Sequence, residues 1–266
     1  MNSYFKDKVV LIVGASSGMG RVVALKLAAQ GAKVVVTARR RDLLDSLAAE
    51  ITSKGDTCLA IAADALDETA AKNVVKTTIE RFGRIDIALL NAGGAPAIDM
   101  RTMDAAGVKQ YMRSNYDVIV NYLFPVLEHM KKQCGGLVVH TNSLAGFIGV
   151  PLQGPYSAAK GAARLLIDTC RVEFAEYGIK FSSIYPGFVA TEITKNDGMP
   201  TSFEISEEKG ADYIIYAIEK EKMDYLFPFI MRWQIRLALA IPKKLLYYIM
   251  RQDFLSATKG NRQHYP

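Results

Sequence analysis

Val9-Val10-Leu11-Ile12-Val13-Gly14-Ala15-Ser16-Ser17-Gly18-Met19-Gly20 is the stretch whose reading decides the fold. Five apolar residues, β-branched but for Leu11, predict a buried strand. The glycines behind them let the chain turn sharply into a helix that begins near Gly18. In such a turn the backbone can approach a pyrophosphate, and the helix start offers free N–H groups and a positive dipole end. A glycine triplet alone is weak evidence. Placed after a first strand and opening a helix, it points to a nucleotide. Its spacing, three residues and then one, differs from the G-x-G-x-x-G form.

Outward from this turn the apolar pattern predicts strands at 33–37, 57–62, 85–90, 137–141 and 179–184. Helices are predicted at 18–30, 42–54, 67–82, 104–133 and 154–177. Strands alternating with helices predict an α/β fold, a Rossmann-like doubly wound parallel sheet in a single domain. Residues 1–227 form its nucleotide-binding body in this reading, and 228–266 a C-terminal helical extension. Ligands of such sheets bind beyond the carboxyl ends of the strands. There the sequence places the glycine turn, Arg39-Arg40-Arg41, Asp64, Asn91-Ala92-Gly93, Ser143 and Pro186-Gly187. Six strand ends aiming polar or glycine-bearing groups at one rim outweigh any single motif.

Ser143, Tyr156 and Lys160 carry the chemistry. Tyr156 and Lys160 are four residues apart, so on a helix they share a face. An ammonium beside a phenol is expected to lower the phenol's pKa and fit it for proton transfer. Ser143, just past a strand, is placed to hydrogen-bond a reacting oxygen. Together they predict hydride transfer at a carbonyl or alcohol. Tyr-x-x-x-Lys also occurs as Tyr4/Lys8 and Tyr216/Lys220, but only Tyr156 has a serine thirteen residues upstream, between strand and helix.

With 266 residues, half of them hydrophobic, the chain can bury a sizeable core without staples. Cys58, Cys134 and Cys170 are odd in number and show no metal-ligand spacing; with no signal peptide ahead of them they read as reduced thiols in the cytoplasm. His129, His140 and His264 have no clustered partners, so no metal is expected. The net charge is +6. From Pro228 onward seven basic residues face Asp253 alone, which leaves the first 227 residues formally neutral.

The glycine spacing, Asn91-Ala92-Gly93, Ser143 and Tyr156-x-x-x-Lys160 together resemble the short-chain dehydrogenase/reductase family, over roughly residues 6–191. The resemblance implies that Gly14, Ser16, Ser17, Gly18, Met19 and Gly20 cradle the cofactor phosphates. It implies that Asp64 and Ala65 border the adenine, and that Asn91, Ala92 and Gly93 line the adenosine and ribose side. Pro186, Gly187, Val189 and Thr191 would embrace the nicotinamide, and Lys160 would hold its ribose. Asn115 falls where the family's proton-relay asparagine lies. A homodimer or homotetramer is also implied. Three positions depart from the pattern: Val13 in place of threonine, Leu90 in place of the first of two asparagines, and no glycine three residues after Asn115.

An acid ending the second strand would hydrogen-bond a ribose 2′-hydroxyl, whereas arginine pairs with a 2′-phosphate. Here the chain reads Arg39-Arg40-Arg41, which predicts NADP(H), with Arg39 the main contact and Arg40 or Ser16 assisting. In the reductive direction Tyr156 protonates the oxygen and Ser143 orients it. Leu144, Ala145, Gly146, Phe147, Ile148, Val150, Pro151 and Leu152 predict an apolar substrate wall, with Gln153 the one amide. Residues 188–206 read as a lid. A silent nucleotide sensor or scaffold is the rival from another class; an epimerase or dehydratase is a nearer one.

Residues 229–250 are apolar but interrupted by Arg232, Arg236, Lys243 and Lys244, too charged to span a membrane. On one continuous helix Arg232, Arg236 and Lys243 would fall within about 40° of each other, opposite Ile230, Leu237 and Ile241. Pro242 is a candidate break. Two readings stay open: a helix in a membrane interface, with Trp233, Tyr247 and Tyr248 at the boundary, or one packed over the pocket or a dimer partner. Basic residues among large apolar ones, with no groove or motif, speak against nucleic acid.

Overall fold

The structure is a computed structural model that describes residues 3–190 and 204–259. Along the first half run β1 (Val9–Val13), α1 (Gly18–Ala28), β2 (Lys33–Ala38), α2 (Arg41–Thr52), β3 (Cys58–Ala62), α3 (Glu68–Phe82) and β4 (Ile87–Leu90). Then come α4 (Ala105–Arg113), α5 (Asp117–Lys132), β5 (Gly136–Thr141), α6 (Gly154–Glu173), β6 (Ile179–Pro186) and β7 (Val189–Ala190). The last elements are β8 (Ile205–Ser206), α7 (Glu207–Glu219), β9 (Asp224–Phe227), α8 (Phe229–Ala240) and α9 (Lys243–Lys259).

Seven strands form one parallel sheet in the order β3-β2-β1-β4-β5-β6-β9. The order reverses between β1 and β4, and the crevice of such a sheet lies at that reversal. Side chains alternate across each strand, so β1 serves two cores. Val10 and Ile12 join Leu27 of α1, Leu47 of α2 and Ile214 of α7. Leu11 and Val13 join Val74 of α3, Leu123 of α5 and Ile167 of α6. Helix α3 starts and stops as its sequence dictates: Asp67 Oδ1 accepts from the Ala70 N–H at 3.0 Å, and Gly83, at φ +77°, closes it.

Two expectations are corrected and one is met. Helix 104–133 is not continuous: α4 ends at Arg113 and α5 begins at Asp117. The Tyr111 carbonyl is taken by Ser114 Oγ at 2.8 Å and Asn115 Nδ2 at 3.3 Å, and the Asn115 N–H turns to Met112 instead. Short polar side chains compete in this way with the helical ladder. A seventh strand, β9, extends the sheet, its apolar Tyr225-Leu226-Phe227 pairing with β6. The candidate break at Pro242 is present, and the extension is two helices. Ile241 is extended, ψ 151°, as a residue before proline is biased to be, so Lys243 opens α9 and does not share a face with Arg232 and Arg236.

Candidate active site

Along the carboxyl ends of β1 to β6 runs a cleft of about 1420 Å³. Its polar end is built by the first turn. Gly14 sits at φ +86° and Gly18 at φ +62°, where other L-residues are strained. A Cβ on Gly14 would lie 2.9 Å from the Ala92 backbone, and one on Gly20 would collide with the Gly14 carbonyl oxygen. Asn91 locks the turn by donating its side-chain N–H to that same oxygen at 3.2 Å. Ser17 precedes α1 without a side-chain cap, so the helix's first N–H groups are not satisfied from that position.

Arg40 Nη2 donates to Ser16 Oγ at 3.0 Å and to Ser17 Oγ at 2.5 Å. Arg39 is exposed at the same rim. A guanidinium, two hydroxyls and a helix N-terminus thus converge where an anion would be held. The structure brings Arg40, not Arg39, onto the glycine turn. Asp64 folds its own loop by accepting from the Leu66 N–H at 3.0 Å, while the Ala65 carbonyl accepts from Asn121 Nδ2 at 2.9 Å. Met19, Asn91, Ala92, Gly93, Pro186, Gly187 and Val189 also border the cleft. Thr191 lies outside the described residues, as does most of the expected lid.

Ser143, Tyr156 and Lys160 meet midway. Ser143 leaves β5 with its Oγ accepting from the Ala145 N–H at 3.1 Å, and its side chain stands near enough to the Tyr156 phenol to favour the phenolate. Lys160, 3 % exposed, donates from Nζ to the Thr141 carbonyl at 2.9 Å. Its Nζ stands 5.6 Å from the Tyr156 ring centre. Asn115 Oδ1 accepts from the Gly94 N–H at 3.0 Å. A Cβ built on Gly93 would lie 2.8 Å from Asn115 Oδ1 and 3.7 Å from Lys160 Nζ, so both groups converge on one glycine.

Burial governs the protonation of this set. It pushes the Tyr156 phenol up to about 12 against the opposing Ser143 side chain, and it brings the Lys160 ammonium down to about 8. Burial raises the phenol above its ordinary value, while the Lys160 ammonium is itself dehydrated and donates to Thr141. A phenol protonated at neutral pH is a proton donor. His140, fully buried beneath the site, is held well below the usual imidazole range by burial and then by the Lys160 charge.

The other end of the cleft is apolar. Leu144, Ala145, Ile148, Val150, Pro151, Leu152 and Gln153 line it as expected. Gly146 and Phe147 do not: Gly146 is pressed against the α6 backbone, and Phe147 stacks on Tyr185 at 4.7 Å. Sequence reasoning named none of the residues of the opposite walls, though a C-terminal helix packed over the pocket was one of its two open readings. Ile98, Met103 and Tyr111 come from the β4–α4 region, and Met231, Ile235, Leu246, Met250 and Phe254 from α8 and α9. Met231 packs on Gly187, and Arg101 lies 5.1 Å over the Phe254 ring. The only sequence signal for the helical wall was an apolar stripe at helical spacing, Met231, Ile235 and Ala238, which any packing would produce.

A family model described as short chain dehydrogenase matches residues 8–200. A levodione reductase of Leifsonia aquatica is 37 % identical over 195 residues, 72 % of this chain and 73 % of the relative. An L-rhamnose 1-dehydrogenase (NAD(P)(+)) of Azotobacter vinelandii is 32 % identical over 196 residues, 72 % of this chain and 77 % of the relative. A levodione reductase crystal structure superposes with a TM-score of 0.78 at 29 % identity, covering 85 % of this chain and 96 % of its own.

Proposed function

The chain belongs to the short-chain dehydrogenase/reductase family and is an oxidoreductase, and on that premise we propose that it is an NADP(H)-dependent reductase of apolar ketones, or dehydrogenase of the matching secondary alcohols. The family binds a nicotinamide cofactor, NAD or NADP. The observation that carries the proposal is one cleft with an anion-binding glycine turn at one end, half-buried Ser143 and Tyr156 with buried Lys160 in the middle, and apolar walls at the other.

The residues present fit the dinucleotide. Gly14 and Gly20 keep clear a cradle that a Cβ would fill, and the Ser16, Ser17 and Arg40 cluster matches phosphate chemistry. Arg39 and Arg40 at the rim favour a 2′-phosphate over a bare hydroxyl. Asp64, Ala65, Asn91, Ala92 and Gly93 would hold the adenosine side, and Pro186, Gly187, Val189 and Thr191 the nicotinamide side. When bound, the cofactor supplies the hydride. Tyr156 donates the proton to the carbonyl oxygen, and Ser143 orients that oxygen and stabilises its developing charge. Lys160 holds the ribose, and Asn115 links Lys160 towards solvent to restore the Tyr156 proton. We place the protein in the cytoplasm as a homodimer or homotetramer, with residues 1–227 as its body and 228–266 as a C-terminal extension whose helices α8 and α9 wall the cleft.

NADPH consumption against a panel of apolar ketones, with NADH and Tyr156→Phe in parallel, tests the reading. Turnover that prefers NADPH and vanishes in the variant is expected. Tight NADPH binding with no turnover of any ketone would replace it with a sensor role. Product formed without net cofactor consumption would replace it with an epimerase or dehydratase. For cofactor choice, Arg39→Asp should move the NADPH-to-NADH preference at least about tenfold towards NADH, the scale of one lost charge-assisted contact; an unchanged preference removes Arg39 from the assignment.

A further inference from the structure

Helices α8 and α9 each have two dissimilar faces. Towards the body, Met231, Ile235 and Ala238 on α8 and Leu246, Met250 and Phe254 on α9 line the cleft, spaced three or four residues apart. Away from it, α8 leaves Phe229, Ile230, Trp233 and Leu237 to solvent, with Trp233 52 % and Leu237 65 % exposed. Tyr247 and Tyr248 of α9 are exposed as well. So much apolar surface in so few turns marks an interaction face. Beside it stand the exposed cations Arg236, Lys243, Lys244 and Arg251. From Pro228 on, the chain carries the whole net charge of +6 on a formally neutral body. Among the described residues no helix is long and apolar enough to cross a membrane.

From these observations we infer that α8 and α9 seat the protein on an anionic lipid surface, and that the same helices pass a lipid-dissolved substrate into the cleft they wall. An amphipathic pair with aromatic residues on one face and cations beside them lies in a bilayer interface, its apolar side chains below the headgroups and its cations among the phosphates. The charge argues for lipid over a second copy, because two such faces would bring the same cations together. The inner face gives the docking a purpose. One helical turn separates Trp233 and Leu237 on the outside from Met231 and Ile235 on the cleft, so an apolar molecule leaving the bilayer has a short, dry route. Docking stands on the helices alone; delivery rests on the apolar-carbonyl reading above, and each has its own signal.

Trp233 is the chain's only tryptophan, so its emission reports this face directly. Full-length protein is titrated with vesicles of phosphatidylcholine alone or mixed with phosphatidylglycerol, at low and high salt. The expected result is a blue shift of Trp233 emission and protection from iodide on anionic vesicles, weakened by salt. Lys243→Gln with Lys244→Gln should lower anionic partition by roughly thirtyfold, given the attraction of each basic residue near the surface. Leu237→Glu and Ile230→Glu, both outside the cleft lining, should abolish docking and leave turnover of a short water-soluble ketone intact. A long-chain ketone dissolved in anionic vesicles should be turned over faster than in neutral ones, and Leu237→Glu should erase that gain. Trp233 that stays water-exposed at saturating vesicles overturns docking, whatever the catalytic result. Trp233 already shielded without vesicles, in an assembly that Leu237→Glu dissociates, assigns the face to a second copy and also overturns it. Docking without the vesicle-dependent gain overturns delivery alone.

Discussion

Tyr156 and Lys160 are each displaced from their ordinary pKa by burial, in opposite directions and with separable consequences. The phenol, raised to about 12, remains protonated through the neutral range. Removing its hydroxyl in Tyr156→Phe should lower kcat by about a hundredfold to ten-thousandfold, the usual worth of a positioned general acid, with little change in the dinucleotide Kd. Equal losses in both, measured by steady-state kinetics and fluorescence titration, would point to a structural role. Lys160, lowered from 10.5 to about 8, releases its proton in the folded state before the unfolded state does. Between those pH values the unfolded chain binds more protons, so stability rises with pH. Urea denaturation at pH 7, 9 and 10.5 should therefore show the wild type gaining on Lys160→Met, by about 3 kcal/mol across the window. A constant difference would mean that the ammonium is hydrated after all.

The first turn and the α4–α5 break show what an element contributes. Gly20 is required because Gly14, Asn91 and α1 meet there, not because a motif demands it. Gly20→Ala should cost about 1–3 kcal/mol in chemical denaturation, as overpacking does, and weaken NADPH binding in the same protein. An alanine accepted with unchanged Kd would show that the turn relaxes. The turn was legible because its strand, glycines and helix are consecutive, so local propensity and tertiary role agree. The break at Asn115 was not. The apolar positions of 104–133 keep a helical period across it. What interrupts the helix is the capture of the Tyr111 carbonyl by Ser114 and Asn115, whose Oδ1 meanwhile takes the Gly94 N–H from a loop twenty-one residues away.

At the scale of the molecule, the cleft is a polar compartment joined to an apolar one, and substrate preference should follow. Along a series of straight-chain ketones, kcat/KM is expected to rise up to about fourfold per methylene, the transfer free energy of a buried CH₂, until the far wall at Met250 and Phe254 is reached. A flat series would mean that the chain lies outside the cleft. The sequence by itself determined the parallel α/β sheet, the strand ends that rim its ligand site, and the grouping of Ser143, Tyr156 and Lys160. Strand alternation, glycine turns and i to i+4 spacing are local physics, written in consecutive residues. Only the tertiary structure decided which protonation state those side chains hold, because burial depends on neighbours far along the chain. It alone decided that Phe147 turns away while Met231 and Ile235 turn in. A helix's apolar stripe declares that something will cover it, but what covers it is fixed by where β9 delivers the chain.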